Sequence, residues 1–183
     1  DIDFLIGELK TDFALLSYCI RETVKAFKAE NLPLPRNSSP IELLRHAGIE
    51  RLKKILRATP EQISPYVLQD INDIQAARLK EALISASTAE VIAEKSSLDT
   101  ETGFSSGFLR QLGLALVSWN YPNIYRRTLK QINKGRDLDQ ALTGELGFSP
   151  GLLGLTIARQ WGVSAEIRSA MGDSQALSGM AVD

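Results

Sequence analysis

Three groups of residues in this chain have the types and spacing to do chemistry. The first is Gly103-Phe104-Ser105-Ser106-Gly107, which matches the G-x-S-x-G pattern of a nucleophile elbow. That device needs a serine on a tight strand-to-helix turn and a histidine to take its proton. No strand pattern precedes the motif, and the single histidine, His46, lies upstream in a helical stretch, whereas hydrolases with this elbow place histidine last. The glycines and serines therefore predict a helix start or a close helix contact, and His46 a partly buried or capping residue near a helix C-terminus. The second group is the carboxylate pairs at helical spacing, Asp70/Asp73 and Glu90/Glu94. Each has a basic residue within reach or lies on a polar face, which predicts solvated surface. The third group is basic. Between Thr102 and Arg136 stand six cations (Arg110, Arg126, Arg127, Lys130, Lys134 and Arg136) and no acid. Arg45, Arg51, Lys53, Lys54 and Arg57 form a second cluster offset by Glu50. Such faces are solvated surface, or they meet an acidic partner or a nucleotide.

Counting removes several classes. One histidine excludes metal sites built on two or more imidazoles, and one cysteine excludes an internal disulfide or a multi-cysteine metal site. Neither G-x-G-x-x-G nor G-x-x-x-x-G-K occurs, so no glycine-rich phosphate cradle is present. Lys and Arg total 21 against 22 Asp and Glu, a net charge of −1 that gives no global pull toward nucleic acid or anionic membrane. With 44% hydrophobic residues in 183, the chain suits one globular domain with a sizeable core. No apolar run approaches the roughly eighteen residues of a membrane helix. The absence of a signal-peptide pattern and the lone cysteine predict a cytoplasmic location.

The elements that must position these residues are helical almost throughout. Phe13, Leu16, Ile20, Val24 and Phe27 recur at steps of three and four, the stripe of an amphipathic helix with Asp12 as N-cap. Cys19 lies beside that stripe and reads as a small core residue. Ser39-Pro40-Ile41-Glu42 reads as N-cap, proline at the first helical position and capping-box glutamate, for a helix stopping at Gly48. Another runs from Ile49 to Ala58. Thr59-Pro60 and Ser64-Pro65 repeat the start signal ahead of a long helical pattern to Ser97, broken near Asn72-Asp73. Further helices are predicted from Phe104 to Trp119, Pro122 to Gly135, after Asp137 to Gly147, Ser149-Pro150 to Gly162, and after Ser164 to Met171. Nothing reads as a strand. Gly113 and Gly154, inside apolar helical stretches, are expected to serve helix packing rather than ligands.

At Phe108-Leu109-Arg110-Gln111-Leu112-Gly113 the sequence resembles the L-L-H-D-I-G signature of the HD superfamily. The segments Leu9 to Phe27, Ile41 to Gly48 with the Arg51-Leu52 helix, Glu145-Leu146-Gly147-Phe148-Ser149, Gly154, and Arg159-Gln160-Trp161-Gly162-Val163 agree with one branch, the HD-related output domain (HDOD) family. The resemblance covers roughly residues 5 to 172. The helical pattern gives about nine or ten helices in a single all-α domain over 1–172, with 173–183 as a polar tail or linker, and the resemblance implies that they form an HD-like orthogonal bundle. Active HD enzymes resemble metal phosphohydrolases with several His and Asp ligands. Here those positions fall on Ala86, Arg110, Gln111 and Pro150. Ala and Pro side chains carry no donor, and Arg carries a fixed charge that cannot ligate a cation.

These departures predict no metal, no cofactor and no catalytic residue. Arg110 is expected to fill the vacated site, paired with a carboxylate or carbonyls of a neighbouring helix; the rival expectation is that it snorkels to water. The leading functional reading is a non-catalytic signal-transduction domain of the bacterial kind, acting on another signalling protein or a flanking domain. Arg126, Arg127, Lys130 and Lys134 would be its interaction surface. The alternatives are a nucleotide or nucleic-acid module using the basic faces, and a phosphohydrolase with a different site.

Overall fold

The computed structural model describes residues 1–35, 37–57, 73–132 and 137–180. Seven of its helices among these residues begin where a side chain takes up an unpaired N–H group of the first turn. After α1 (Ile2–Leu9), the Asp12 carboxylate accepts from the Leu15 N–H at 2.9 Å and opens α2 (Phe13–Ala29). At α3 (Pro40–Ala47) the capping box closes in both directions. The Glu42 N–H donates to the Ser39 hydroxyl at 3.0 Å, and the Ser39 N–H donates to the Glu42 carboxylate at 2.7 Å. Gly48, at φ +80°, turns the chain directly into α4 (Ile49–Leu56).

Next come α5 (Asp73–Lys95) and α6 (Thr100–Asn120). The latter starts earlier than its apolar periodicity suggests, because Asp99 caps the Thr102 N–H at 2.6 Å. The chain continues through α7 (Pro122–Gln131), α8 (Leu138–Leu146), α9 (Pro150–Gln160) and α10 (Ala165–Ala170). The fold is all-α, with eleven helices among the described residues and, in place of a strand, one isolated bridge between Ser38 and Val163. The start signals at Thr59 and Ser64, and the ends expected at Ala58 and Gly135, lie outside the described residues.

The core forms around α6, which packs on α5 along one side and on α9 along another. Phe108 of α6 meets Phe13 of α2, their rings 4.5 Å apart, and stacks with Phe104 one turn earlier. Leu16, Cys19, Ile20, Leu44 and Leu52 complete the buried cluster. The α2 stripe is thus buried as its spacing requires. Cys19 is fully enclosed, and burial pushes its thiol up to about 12.

The expected polar tail is different in the structure. Gly172 turns at φ +92°, Asp173 is buried, and α11 (Ser174–Met180) packs back on α10. The Asp173 carboxylate accepts from Arg159 at 2.6 Å and from Arg168 at 2.7 Å. Both arginines come from helices already in place, so a polar segment is held by ionic contacts rather than by an apolar stripe.

Candidate functional site

Around Gly103 and Gly107 the α5–α6 seam is made of small residues. A Cβ at Gly103 would stand 2.6 Å from the Ala93 Cβ and 2.8 Å from the Ala89 carbonyl oxygen. One at Gly107 would stand 2.8 Å from both the Ala86 Cα and the Ser85 carbonyl oxygen. Glycine is the residue that permits this approach. The G-x-S-x-G stretch is therefore an interior segment of α6. Ser105 is buried against the fold, and His46 is exposed on α3 with its ring 5.9 Å from that of Phe27. No nucleophile–base pair forms from them.

On its other side α6 meets α9 just as tightly. A Cβ at Gly113 would lie 1.8 Å from the Pro150 carbonyl oxygen, and one at Gly154 would lie 3.1 Å from the Gly113 nitrogen. Both glycines are packing residues, as their positions in apolar helices suggest.

The four positions that the HD resemblance assigns to ligands are taken up by packing, hydrogen bonding or exposure in this architecture. Ala86 is fully buried beneath Gly107. Pro150 is buried at the first turn of α9, its carbonyl against Gly113. Gln111 faces α5, accepting from Arg78 at 2.6 Å and donating to the Ser85 hydroxyl at 3.4 Å. Arg110, one residue and about 100° further round the helix, is exposed and donates to the Ala170 carbonyl of α10 at 3.3 Å. It pairs with a neighbouring carbonyl but does not fill the vacated site. With Leu109 and Leu112 buried and Gln111 turned to α5, position 110 is left on the outer side.

The cation that does sit inside is Arg78 of α5, 8% exposed. Its guanidinium bonds Gln111 and lies 3.2 Å from the Glu81 carboxylate. It also bears on the buried Tyr125 of α7: burial raises that phenol's pKa, and the Arg78 charge and hydrogen bond oppose the rise. One turn away, Gln75 donates to the Ser118 carbonyl at 3.1 Å. The signature positions gave no hint of Arg78. Its spacing with Gln75, Ala82, Ala86 and Ala93 marks the inner face of α5, and that is the signal by which it is found.

A metal centre of the HD type does not fit these residues. Two ligand positions have no donor, one points away, and the Gln111 amide is committed to Arg78 and Ser85. A buried guanidinium beside that amide repels a divalent cation. Among the described residues, no group of three or more His, Cys, Asp or Glu side chains is placed to hold a metal.

Among the described residues, four cations of the two basic clusters are ion-paired. Arg45 forks onto Glu101 at 2.6 and 2.9 Å and reaches Asp3 at 3.1 Å. Arg51 meets Glu30 at 2.5 Å and Lys53 meets Glu50 at 2.9 Å. On α7, Arg127 is met by Glu145 of α8 at 2.6 Å, so an acid from outside the acid-free segment covers part of this face. Arg126 is half-buried and Lys130 exposed; Lys134 and Arg136 lie outside the described residues. Glu90 pairs with Lys10 across α5 and α1, Glu94 is exposed, Asp73 opens α5, and Asp70 lies outside the described residues.

An all-helical bundle packed around one central helix, α6, defines the class. The HDOD domain model matches residues 48–177, and the chain belongs to that family. The match runs through the buried Asp173 and into α11, beyond the boundary expected at residue 172. No curated protein and no solved structure matches the chain. No helix among the described residues is long and apolar enough to cross a membrane.

Proposed function

We propose that this HDOD domain is a non-catalytic regulatory module that works through contacts with other proteins. The observation supporting this reading is the fate of the ligand positions. Ala86 and Pro150 are spent on backbone-close packing, and Gln111 is tied to a buried arginine. An HD phosphohydrolase needs those positions open and bearing donors toward a metal-bound phosphoester. The scaffold that remains offers rigid helices and charged surfaces, which suit recognition rather than bond cleavage. On α7, Lys130 and Arg127, the latter already shared with Glu145, form the face that would draw an acidic partner protein by long-range attraction. In the family's bacterial signalling setting, that partner is another signalling protein.

The test has two arms. Bis(p-nitrophenyl) phosphate is incubated with the protein after loading with Mn²⁺, Fe²⁺ or Mg²⁺. The expected result is no hydrolysis above the metal blank. Turnover that disappears in Gln111→Ala would overturn the reading in favour of an enzyme. In the second arm, binding to a single-stranded oligonucleotide is followed against salt; affinity falling steeply with salt would mean that the basic face serves nucleic acid.

A further inference from the structure

The outer face of α5 carries an apolar stripe that the fold leaves uncovered. Ile84 is 56% exposed, Val91 46% and Ile92 58%, and Leu98 just past the helix end is 67% exposed. Isolated exposed apolar residues need no explanation, but a row of them on one helix does. Successive residues of a helix turn by about 100°, and the buried residues Gln75, Arg78, Ala82, Ala86 and Ala93 fix the side facing α6. Ile84, Val91 and Lys95 then lie almost diametrically opposite. Glu81, Ile84, Thr88, Val91 and Lys95 follow one another at steps of three and four, the spacing of a helix–helix seam.

The charges on this seam have a symmetry of their own. Glu81 and Lys95 lie seven residues to either side of Thr88, and Ile84 and Ile92 lie four to either side. A two-fold axis through Thr88 therefore sets Ile84 level with Ile92 of a second copy, across the seam, and Glu81 against Lys95 of that copy. The like charges stay about 20 Å apart along the helices. Glu81 leans on Arg78 of its own chain yet remains 63% exposed, and Lys95 has no ion-pair partner among the described residues. A face that is complementary to itself under a two-fold rotation is the requirement for an isologous dimer.

We propose that the chain self-associates through the outer face of α5, antiparallel about Thr88, with a second copy of this chain as the occupant of the stripe. The complementarity carries the choice of occupant: a hydrophobic pair and an opposite-charge pair share one midpoint on the same helix. The dimer is independent of the regulatory reading, because neither the ligand positions nor the α7 face takes part in it.

Light scattering of the full chain across the micromolar range should show the mass rising from 20.1 kDa toward twice that value with concentration. Ile84→Asp, at an exposed site, should hold it at one chain at all concentrations while its circular dichroism stays unchanged. Glu81→Lys alone and Lys95→Glu alone should each weaken association about tenfold, since each places like charges together twice, and the double reversal should restore it. Thr88→Cys should cross-link to a covalent dimer on mild oxidation, because the axis sets Thr88 beside its own copy and the buried Cys19 is out of reach. A wild-type chain that stays monomeric, a dimer indifferent to Ile84→Asp, or a double reversal no better than the singles would each overturn the proposal. Capture of a different protein by the stripe in place of a second copy would overturn it too.

Discussion

Gly113→Ala is the sharpest perturbation this fold offers. The new Cβ would lie 1.8 Å from the Pro150 carbonyl oxygen and 2.6 Å from its carbon. Those atoms are backbone in the first turn of α9, so no rotamer change relieves the clash. The start of α9 must retreat by more than an ångström, and α6 and α9 are among the most extensively packed helices of the core. Overpacking of this kind costs about 1–3 kcal/mol, occasionally more. Against it stands the better helix propensity of Ala, about 1 kcal/mol. The clash should win, because it displaces a whole helix end rather than a side chain. Gly144→Ala supplies the opposite case: Gly144 is exposed in α8 with nothing within 4 Å of its Cβ position. There the same substitution should stabilise by about 0.5–1 kcal/mol. Urea unfolding reads both, and in a chain of this size each kcal/mol moves Tm by about 2–4 °C. If Gly113→Ala proves as stable as the wild type, the close approach of α6 and α9 is not what the glycine serves.

Arg159 chiefly, by its hydrogen bond, holds the Asp173 carboxylate down to about 2, and Arg168 adds to this. An unfolded aspartate titrates near 3.9, so the anchoring of α11 is fully present above about pH 4 and lost as pH falls through about 2. Hydrogen exchange across 174–180 should show loosening in that window, and Asp173→Asn should remove the pH dependence; equal protection at both ends contradicts the anchor. Cys19, pushed up to about 12 by burial, should ignore a disulfide reagent at neutral pH and react in denaturant. Rapid native labelling would place the thiol elsewhere than the core. Arg78→Met should cost about 1–3 kcal/mol by leaving the Gln111 carbonyl oxygen unpaired. The Glu81 contact adds little because that carboxylate is well exposed, and an unchanged urea midpoint would show that the guanidinium does not hold the seam.

What the sequence made legible followed from local rules. The α2 stripe, the caps at Asp12, Ser39, Ser149 and Ser164, and the stop at Gly48 depend on residues within one or two turns, and they appear where the spacing puts them. Gly113 was readable as packing because a glycine in an apolar helix needs a reason. The misses share a different origin. Whether Arg110 or Arg78 is the inward cation depends on which side of each helix its neighbours cover, and a one-residue offset rotates the answer to the opposite environment. Asp173 owes its burial to arginines five and fourteen residues upstream, brought round by the turn between α9 and α10. Arg127 meets Glu145 only because α7 and α8 fold back on each other. Ionic partners of this kind follow from tertiary placement, which leaves no periodic mark on the chain.

The bare backbone contacts on both sides of α6 also govern how a force would travel through the molecule. Helices separated by long side chains yield to a push by changing rotamers, and the displacement dies within the layer. Between Gly103, Gly107 and α5 on one side, and Gly113, Gly154 and α9 on the other, there is little side-chain matter to yield. Tightly packed interiors are nearly incompressible and pass strain onward. Load applied along the outer surface of α5 is therefore delivered to α9 as rigid-body movement, with α6 acting as a stiff strut between them.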